Sequence, residues 1–463
     1  MAKKMLIVHG YSDGSVSFFS LRDFFVRKGL YKREEVYLLD YASMDDEATF
    51  RDFADKLDDD YNRIFNGEKI DVACHSTGAL VVRTWLALRR ETQKALGQKC
   101  DCPVEHLLMF APANFGSDLA KLGQSFLGKV RATFFNSNTK PEDFLESGKA
   151  VLEGLEPASP FQWSLSQYDL FQDNYFNPKL PAQEICFPFV FAAGNNYGGS
   201  FEARIIKNRM KLGTDGTVRI SGTSLNSRKL MIAFENDNPV IQWARETKFG
   251  QIPFAVFNHF NHGSIIDTEK AEFEALLGPG PLVVNALAVK TVHEYEELAK
   301  QFDEVSAKNY AAMTGETKER YQQFFFRVRD DVDCLVDDYF LDFFILNEHG
   351  KLDDELTAEF DDNFESTFYT HSADKAHRVM MVNYDQMDTY FKKLIQKKAK
   401  LAFNIKAKGP LPDISYVEKD FVVFDGATVQ QERISFFSPN TTTLVNIVLN
   451  RVQSNKLLTV SQP

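Results

Sequence analysis

The sequence predicts an α/β domain built on a mostly parallel sheet with a helical insertion, followed by an all-β antiparallel sandwich. Three observations carry this reading. Over roughly the first 275 residues, short apolar runs alternate with amphipathic helical stretches, the rhythm of a parallel sheet flanked by helices. One of those runs, Asp71-Val72-Ala73-Cys74-His75-Ser76-Thr77-Gly78, drives into a serine followed two residues later by glycine. Beyond Gly278-Pro279-Gly280-Pro281, the clearest breaker in the chain, the pattern changes to β runs separated by polar turns.

Taken in order, Met5-Leu6-Ile7-Val8 and Val36-Tyr37-Leu38-Leu39-Asp40-Tyr41 read as the first two strands. Residues 50–65 read as a helix, with Phe53, Leu57, Tyr61, Ile64 and Phe65 on one face. Asp71 to Cys74, Leu107 to Ala111 and Phe187 to Ala193 read as further strands. Between Pro112 and Cys186 the rhythm breaks, and an insertion of this size after a strand is where a cap over the serine would be built, either as a mobile lid or as a rigid helical subdomain. The expected division is a catalytic domain over residues 1–280 with the cap at 113–186, a helical connector at 281–321 and a β-sandwich domain at 322–463.

A serine hydroxyl becomes a useful nucleophile when a sharp strand-to-helix turn holds it out, and that turn needs small residues two before and two after the serine. Cys74 and Gly78 occupy those places around Ser76, and Ala79 to Leu88 supplies the following helix. The plain alternative is that Ser76 only caps that helix. Catalysis also needs a base, an acid that orients it and donors for an oxyanion. The loop His9-Gly10-Tyr11 after the first strand offers a backbone N–H, so the expected oxyanion donors are the N–H groups of Tyr11 and Thr77. Asp215, in the glycine-flanked turn Gly213-Thr214-Asp215-Gly216, is the expected acid, although Asp-Gly is also a common turn signal. The loop Asn258-His259-Phe260-Asn261-His262-Gly263-Ser264 offers two bases, and the Gly-Ser after it favours His262 over His259. The other seven histidines lie in no comparable context.

On these motifs the chain resembles the α/β-hydrolase family, in its lipase-like branch. The run from His75 to Arg83 is similar to the elbow helix of inositol deacylase type lipases, and the Asp215-Gly216-Thr217-Val218 turn resembles the acid-bearing turn of lecithin acyltransferase type lipases. The resemblance implies that Ser76 is the nucleophile, Asp215 the orienting acid and His262 the base, with Cys74 departing from the usual glycine.

Composition limits the partners. The 463 residues carry a formal net charge of −12, which argues against nucleic acid and against electrostatic adhesion to anionic membranes. No run of about 20 apolar residues suggests a transmembrane helix. Because the N-terminus passes directly into a strand and the five cysteines are scattered, the expectation is a cytoplasmic protein or one exported without a signal peptide. The acidic turns around Asp330, Asp337 and Asp361 are read as solvated, so no metal or other cofactor is expected. Glycines and aromatics in the insertion suit an apolar cover, with Phe126, Leu127, Phe134 and Phe135 expected to line the entrance for an acyl chain. The expected activity is that of a serine carboxylester hydrolase acting on a lipid or other acyl ester, with transient membrane contact. An acyltransferase using the same residues, or a non-catalytic interaction or effector protein on the same scaffold, are the alternatives.

Overall fold

In the computed structural model, which describes residues 3–11, 14–41, 45–122, 148–172, 174–196, 213–246, 251–313, 319–363, 367–428 and 437–454, the apolar runs of the first half form one six-stranded sheet. The chain divides into two units, Met1–Asn226 with Glu246–Lys318, and Ser227–Arg245 with Glu319–Pro463. In the first unit, β1 (Met5–Val8), β2 (Val36–Leu39), β3 (Ile70–His75), β4 (Val104–Phe110) and β5 (Phe187–Ala193) are joined by β8 (Phe254–Phe257) in the order β2-β1-β3-β4-β5-β8. Every pairing in it is parallel. All six residues of β3 are buried, as befits a strand covered on both faces.

Helices pack on this sheet where the apolar spacing directs them. α1 (Phe19–Arg27) buries Leu21, Phe24 and Phe25. α2 (Phe50–Phe65) begins at a reciprocal cap, in which the Thr49 hydroxyl accepts the Asp52 N–H at 3.3 Å and the Asp52 carboxylate accepts the Thr49 N–H at 2.8 Å. It buries Phe50, Ala54, Leu57, Tyr61 and Phe65, whereas Ile64, read from spacing as part of the stripe, is exposed. α3 (Gly78–Ala95) is buried without a break from Gly78 to Leu86, because it follows the central strand of the sheet.

The Gly-Pro repeat starts a helix instead of separating domains: Gly278 is the cap of Pro279–Ala288, with proline in the first turn, where its missing N–H costs nothing. The next helix, Val292–Ala312, falls within the expected helical connector, and its buried face, with Tyr295, Leu298 and Phe302, completes the first unit. The Tyr295 ring lies 5.3 Å from those of Phe187 and Phe189, its hydroxyl donates to the Pro188 carbonyl at 2.7 Å, and Phe302 lies 5.3 Å from Phe191. The first unit therefore runs to Lys318, past the boundary expected at 280.

The second unit is β-rich, as the sequence indicates. A mixed sheet has the order β11-β12-β9-β16-β6-β7, formed by β6 (Ser227–Glu235), β7 (Asn238–Glu246), β9 (Tyr321–Asp330), β11 (Thr367–Thr370), β12 (His377–Asn383) and β16 (Thr442–Leu449). An antiparallel sheet holds β10 (Tyr339–Leu346), β13 (Lys400–Ala407) and β15 (Phe421–Asp425). The pair β14 (Ile414–Tyr416) and β17 (Arg451–Gln453) is separate. Leu230, Ile232, Phe324, Phe326, Val445 and Ile447 share one core with Leu341, Leu401, Phe403 and Val423.

Three features go beyond the expected antiparallel sandwich. β16 runs parallel to both neighbours, and helices Asp354–Asn363 and Tyr384–Lys397 are built into the unit. The hairpin β6–β7, placed by sequence in the catalytic domain, belongs to this sheet, its tight turn made by Asn236 and Asp237 at φ 49° and 60°. Among the described residues no helix is long and apolar enough to cross a membrane.

Phe189 tests the packing of the first unit, since it is fully buried between the sheet and the 292–312 helix. Phe189→Ala is expected to lower unfolding free energy by about 3–5 kcal/mol in urea titrations. A loss under 1 kcal/mol would mean that this contact is not part of the core.

Candidate active site

The site is assembled at the C-terminal ends of β1, β3 and β8. β3 stops at His75, and Ser76 takes φ 53°, a left-handed backbone that a residue with a Cβ rarely adopts. Hydrogen bonds on both sides hold this conformation: the Ser76 N–H donates to the Phe110 carbonyl at 3.1 Å, and the Ser76 carbonyl accepts from Ala113 at 3.1 Å. Glycine at 78 is required by contact, because a Cβ there would lie 2.5 Å from the His9 carbonyl oxygen and 2.8 Å from that of Val8. Gly10 is similarly constrained, since its Cβ would lie 2.9 Å from that of Ser76. Cys74 is accommodated as a buried side chain, and burial pushes its thiol far above the ordinary range, which leaves it a packing residue without thiolate character.

Three residues far apart in sequence meet here in one line. The Ser76 hydroxyl lies 2.9 Å from His262 Nε2, and His262 Nδ1 lies 2.9 Å from Asp215 Oδ2. With Nδ1–H donating to the carboxylate, Nε2 is left as the acceptor for the serine proton. All three side chains are buried. The acid is fixed by its own turn: Asp215 Oδ1 accepts the N–H groups of Thr217 at 2.9 Å and Val218 at 2.8 Å, leaving Oδ2 for the imidazole. Gly213 and Gly216, at φ 74° and 97°, supply the left-handed positions that let the turn close. The His262 loop is pinned beyond the histidine, where Asn261 and Ser264 exchange backbone-to-side-chain hydrogen bonds at 3.0 and 2.9 Å and Ile265 and Ile266 are buried. His259, the other base considered, is exposed.

Thr77 stands at the start of α3, where the first N–H groups have no intrahelical acceptor, and Tyr11 follows the loop whose Gly10 packs on the elbow. That loop is braced by Tyr41. The Tyr41 hydroxyl donates to the His9 carbonyl at 3.1 Å and lies 3.2 Å from Thr77 Oγ1, while its ring stacks on His9 at 4.3 Å. Phe126, Leu127, Phe134 and Phe135 lie outside the described residues.

Sequence reasoning missed two contributors. His75 is buried, and its Nε2 donates to the His262 carbonyl at 2.8 Å. Arg83, fully buried on α3, makes a bidentate pair with Asp169 of the insertion at 2.7 and 2.9 Å and bonds Asn114 and Ser166. A charge inside the apolar run Leu80-Val81-Val82-Arg83 was the signal, because a buried guanidinium needs a carboxylate.

Among the described residues, Asp71, Glu105 and His106 are the one group of potential metal ligands near enough to share an ion. They cluster where β3 and β4 begin, the end of the sheet away from Ser76. Lys3 already places its ammonium 2.8 Å from both carboxylates, so the cation there is a side chain.

On a parallel sheet of this order, with a strand-elbow serine, the chain has the α/β-hydrolase fold, and Ser76, His262 and Asp215 are brought together at its strand ends. No family model matches the chain, and no curated protein matches it in sequence. Among solved structures it is similar to phospholipase PlaB from Legionella pneumophila, at 23% identity and a TM-score of 0.82 over 100% of this chain and 96% of that one. The complex of that phospholipase with thio-NAD matches at 23% identity and a TM-score of 0.78, over 99% and 96%. At this identity the likeness speaks for the fold.

Burial, reinforced by the neighbouring His262, lowers the His75 pKa from 6.5 to about 3. Below pH 6.5 the unfolded chain takes up a proton here that the native state refuses, so this residue's contribution to stability is full above pH 6.5 and is lost as pH falls toward 3. His75→Gln is expected to remove a slope of up to about 1.4 kcal/mol per pH unit from that window, read as the difference between wild-type and variant urea titrations at pH 4 to 7. Parallel curves would show that His75 takes up its proton as readily in the fold as in the unfolded chain.

Proposed function

We propose that the chain is a serine carboxylester hydrolase acting on a lipid ester. The observation that carries the reading is the unbroken line from Ser76 Oγ through His262 to Asp215, each step at 2.9 Å, beginning on a serine held at a positive φ. In the proposed reaction His262 Nε2 takes the hydroxyl proton as Ser76 Oγ attacks the ester carbonyl, and Asp215 holds the imidazolium that forms. The N–H groups of Tyr11 and Thr77 receive the developing oxyanion. The imidazolium then protonates the departing alcohol, leaving an acyl-serine, and a water activated by the same imidazole releases the acid.

The lipid assignment is supported by the glycines and aromatics of the insertion and by the fold shared along the whole chain with the Legionella phospholipase. Contact with a lipid surface through this insertion accompanies the reading. An acyltransferase would share every step up to the acyl-serine and differ in admitting an alcohol in place of water.

Ser76→Ala is expected to keep the fold and cut turnover by roughly 10⁴ to 10⁶. Across monomeric esters from acetyl to palmitoyl, log kcat/KM should rise with chain length by an increment equivalent to up to about 0.8 kcal/mol per methylene until the pocket fills. A folded, active Ser76→Ala enzyme would refute the mechanism, and a maximum at acetyl would refute the lipid assignment.

A further inference from the structure

His75 is an expensive residue to bury as filler. Its Nε2 faces the main-chain carbonyl oxygen of His262 at 2.8 Å. A carbonyl oxygen can only accept, so Nε2 carries the proton and Nδ1 is left as a bare acceptor. That Nδ1 is buried with no hydrogen-bond partner among the described residues; the Gly10 backbone lies against it, where a Cβ would come within 3.3 Å. An apolar side chain would avoid that unsatisfied atom, and what it could not supply is the donor at Nε2.

The donor completes a set. His262 has four polar points, and each is held: its N–H by the Asp215 carbonyl at 3.1 Å, Nδ1 by the Asp215 carboxylate, Nε2 by Ser76, and its carbonyl by His75. Two anchors come from the acid turn and two from consecutive residues of the elbow. The fourth anchor restrains the peptide that joins His262 to Gly263, a residue whose backbone resists rotation least. The His75 ring also packs beside that of His262, with centroids 4.8 Å apart, and 6.0 Å from that of Phe18.

We propose that His75 is a positioning residue: by donating to the His262 carbonyl it ties the base loop to the elbow and sets the imidazole in register with the serine beside it. The inference rests on the esterase reading above. It concerns the transition state, where misplacement of a reacting group by about 1 Å costs on the order of 10²-fold. Substrate binding is left to other residues.

The test compares His75→Phe, which keeps an aromatic ring without a donor, with His75→Gln, whose amide nitrogen reaches about as far as Nε2. For a soluble short-chain ester, His75→Phe should lower kcat by roughly 10- to 100-fold with KM within about threefold, and His75→Gln should recover most of the loss. Thermal melts of the two variants accompany the kinetics, and His75→Leu replaces His75→Phe if the larger ring prevents folding. A non-donor variant with wild-type kcat, or a His75→Gln enzyme as impaired as the non-donor one, overturns the proposal while leaving the esterase intact. A folded wild type with no activity on any ester of the acetyl-to-palmitoyl series overturns the esterase reading and this inference with it.

Discussion

The structure depends on one close approach: the elbow at Ser76 passes so near the end of β1 that no Cβ fits at Gly78 or, on the facing loop, at Gly10. A serine at φ 53° is strained by itself, and the strain persists only because its surroundings determine it from several sides. β3 is the buried interior strand between β1 and β4, α3 is buried for its first nine residues, and both backbone groups of Ser76 are hydrogen-bonded. What the arrangement gains is direction. The hydroxyl emerges at the strand end toward a histidine delivered from a loop 186 residues away.

Polar groups buried in the first unit follow the same logic. Each buried charge that holds the site in place meets its counterpart with more than one hydrogen bond: Arg83 with Asp169, Arg219 with Asp118, Asp215 with two N–H groups and the base. At the far end of the sheet, Asp71 gathers Tyr31, His106 and Lys3 in a second network. Burial works to raise the Asp71 carboxyl, and His106 and Lys3 outweigh it, leaving it below its ordinary range. Paired charges of this kind add little net stability, but losing one partner strands the other, so they specify which segments meet. Arg83 thereby makes the described part of the insertion a fixed neighbour of the elbow helix.

The site was legible in sequence where local chemistry dictates it. Gly78 after Ser76 marks a contact that leaves no room for a Cβ, the glycines around Asp215 mark left-handed backbone, and the Gly-Ser follows His262 in a short loop; the structure brings those three segments together. The parallel sheet was legible because its strands are continuous apolar runs. Long-range pairing was not. His75 looked like one more residue of an elbow until its partner 187 residues later was in view, and the hairpin at 227–246 gave only Asn236-Asp237 as a turn signal, with nothing to say which sheet it joins. The Gly-Pro repeat misled about the boundary because proline is equally at home in a helix's first turn and in a linker. The helix Tyr384–Lys397 went unread beside the stronger β runs, although Met387, Tyr390, Phe391 and Leu394 lie at helical spacing.

The central claim is that Ser76 is a nucleophile activated by His262, and covalent labelling tests it most directly. Incubated with a fluorophosphonate at neutral pH and then digested, the protein should yield one phosphonylated peptide, carrying the adduct on Ser76, with labelling slowed by orders of magnitude in His262→Ala. An unlabelled Ser76, an adduct on another residue, or equal labelling without His262 would contradict the account.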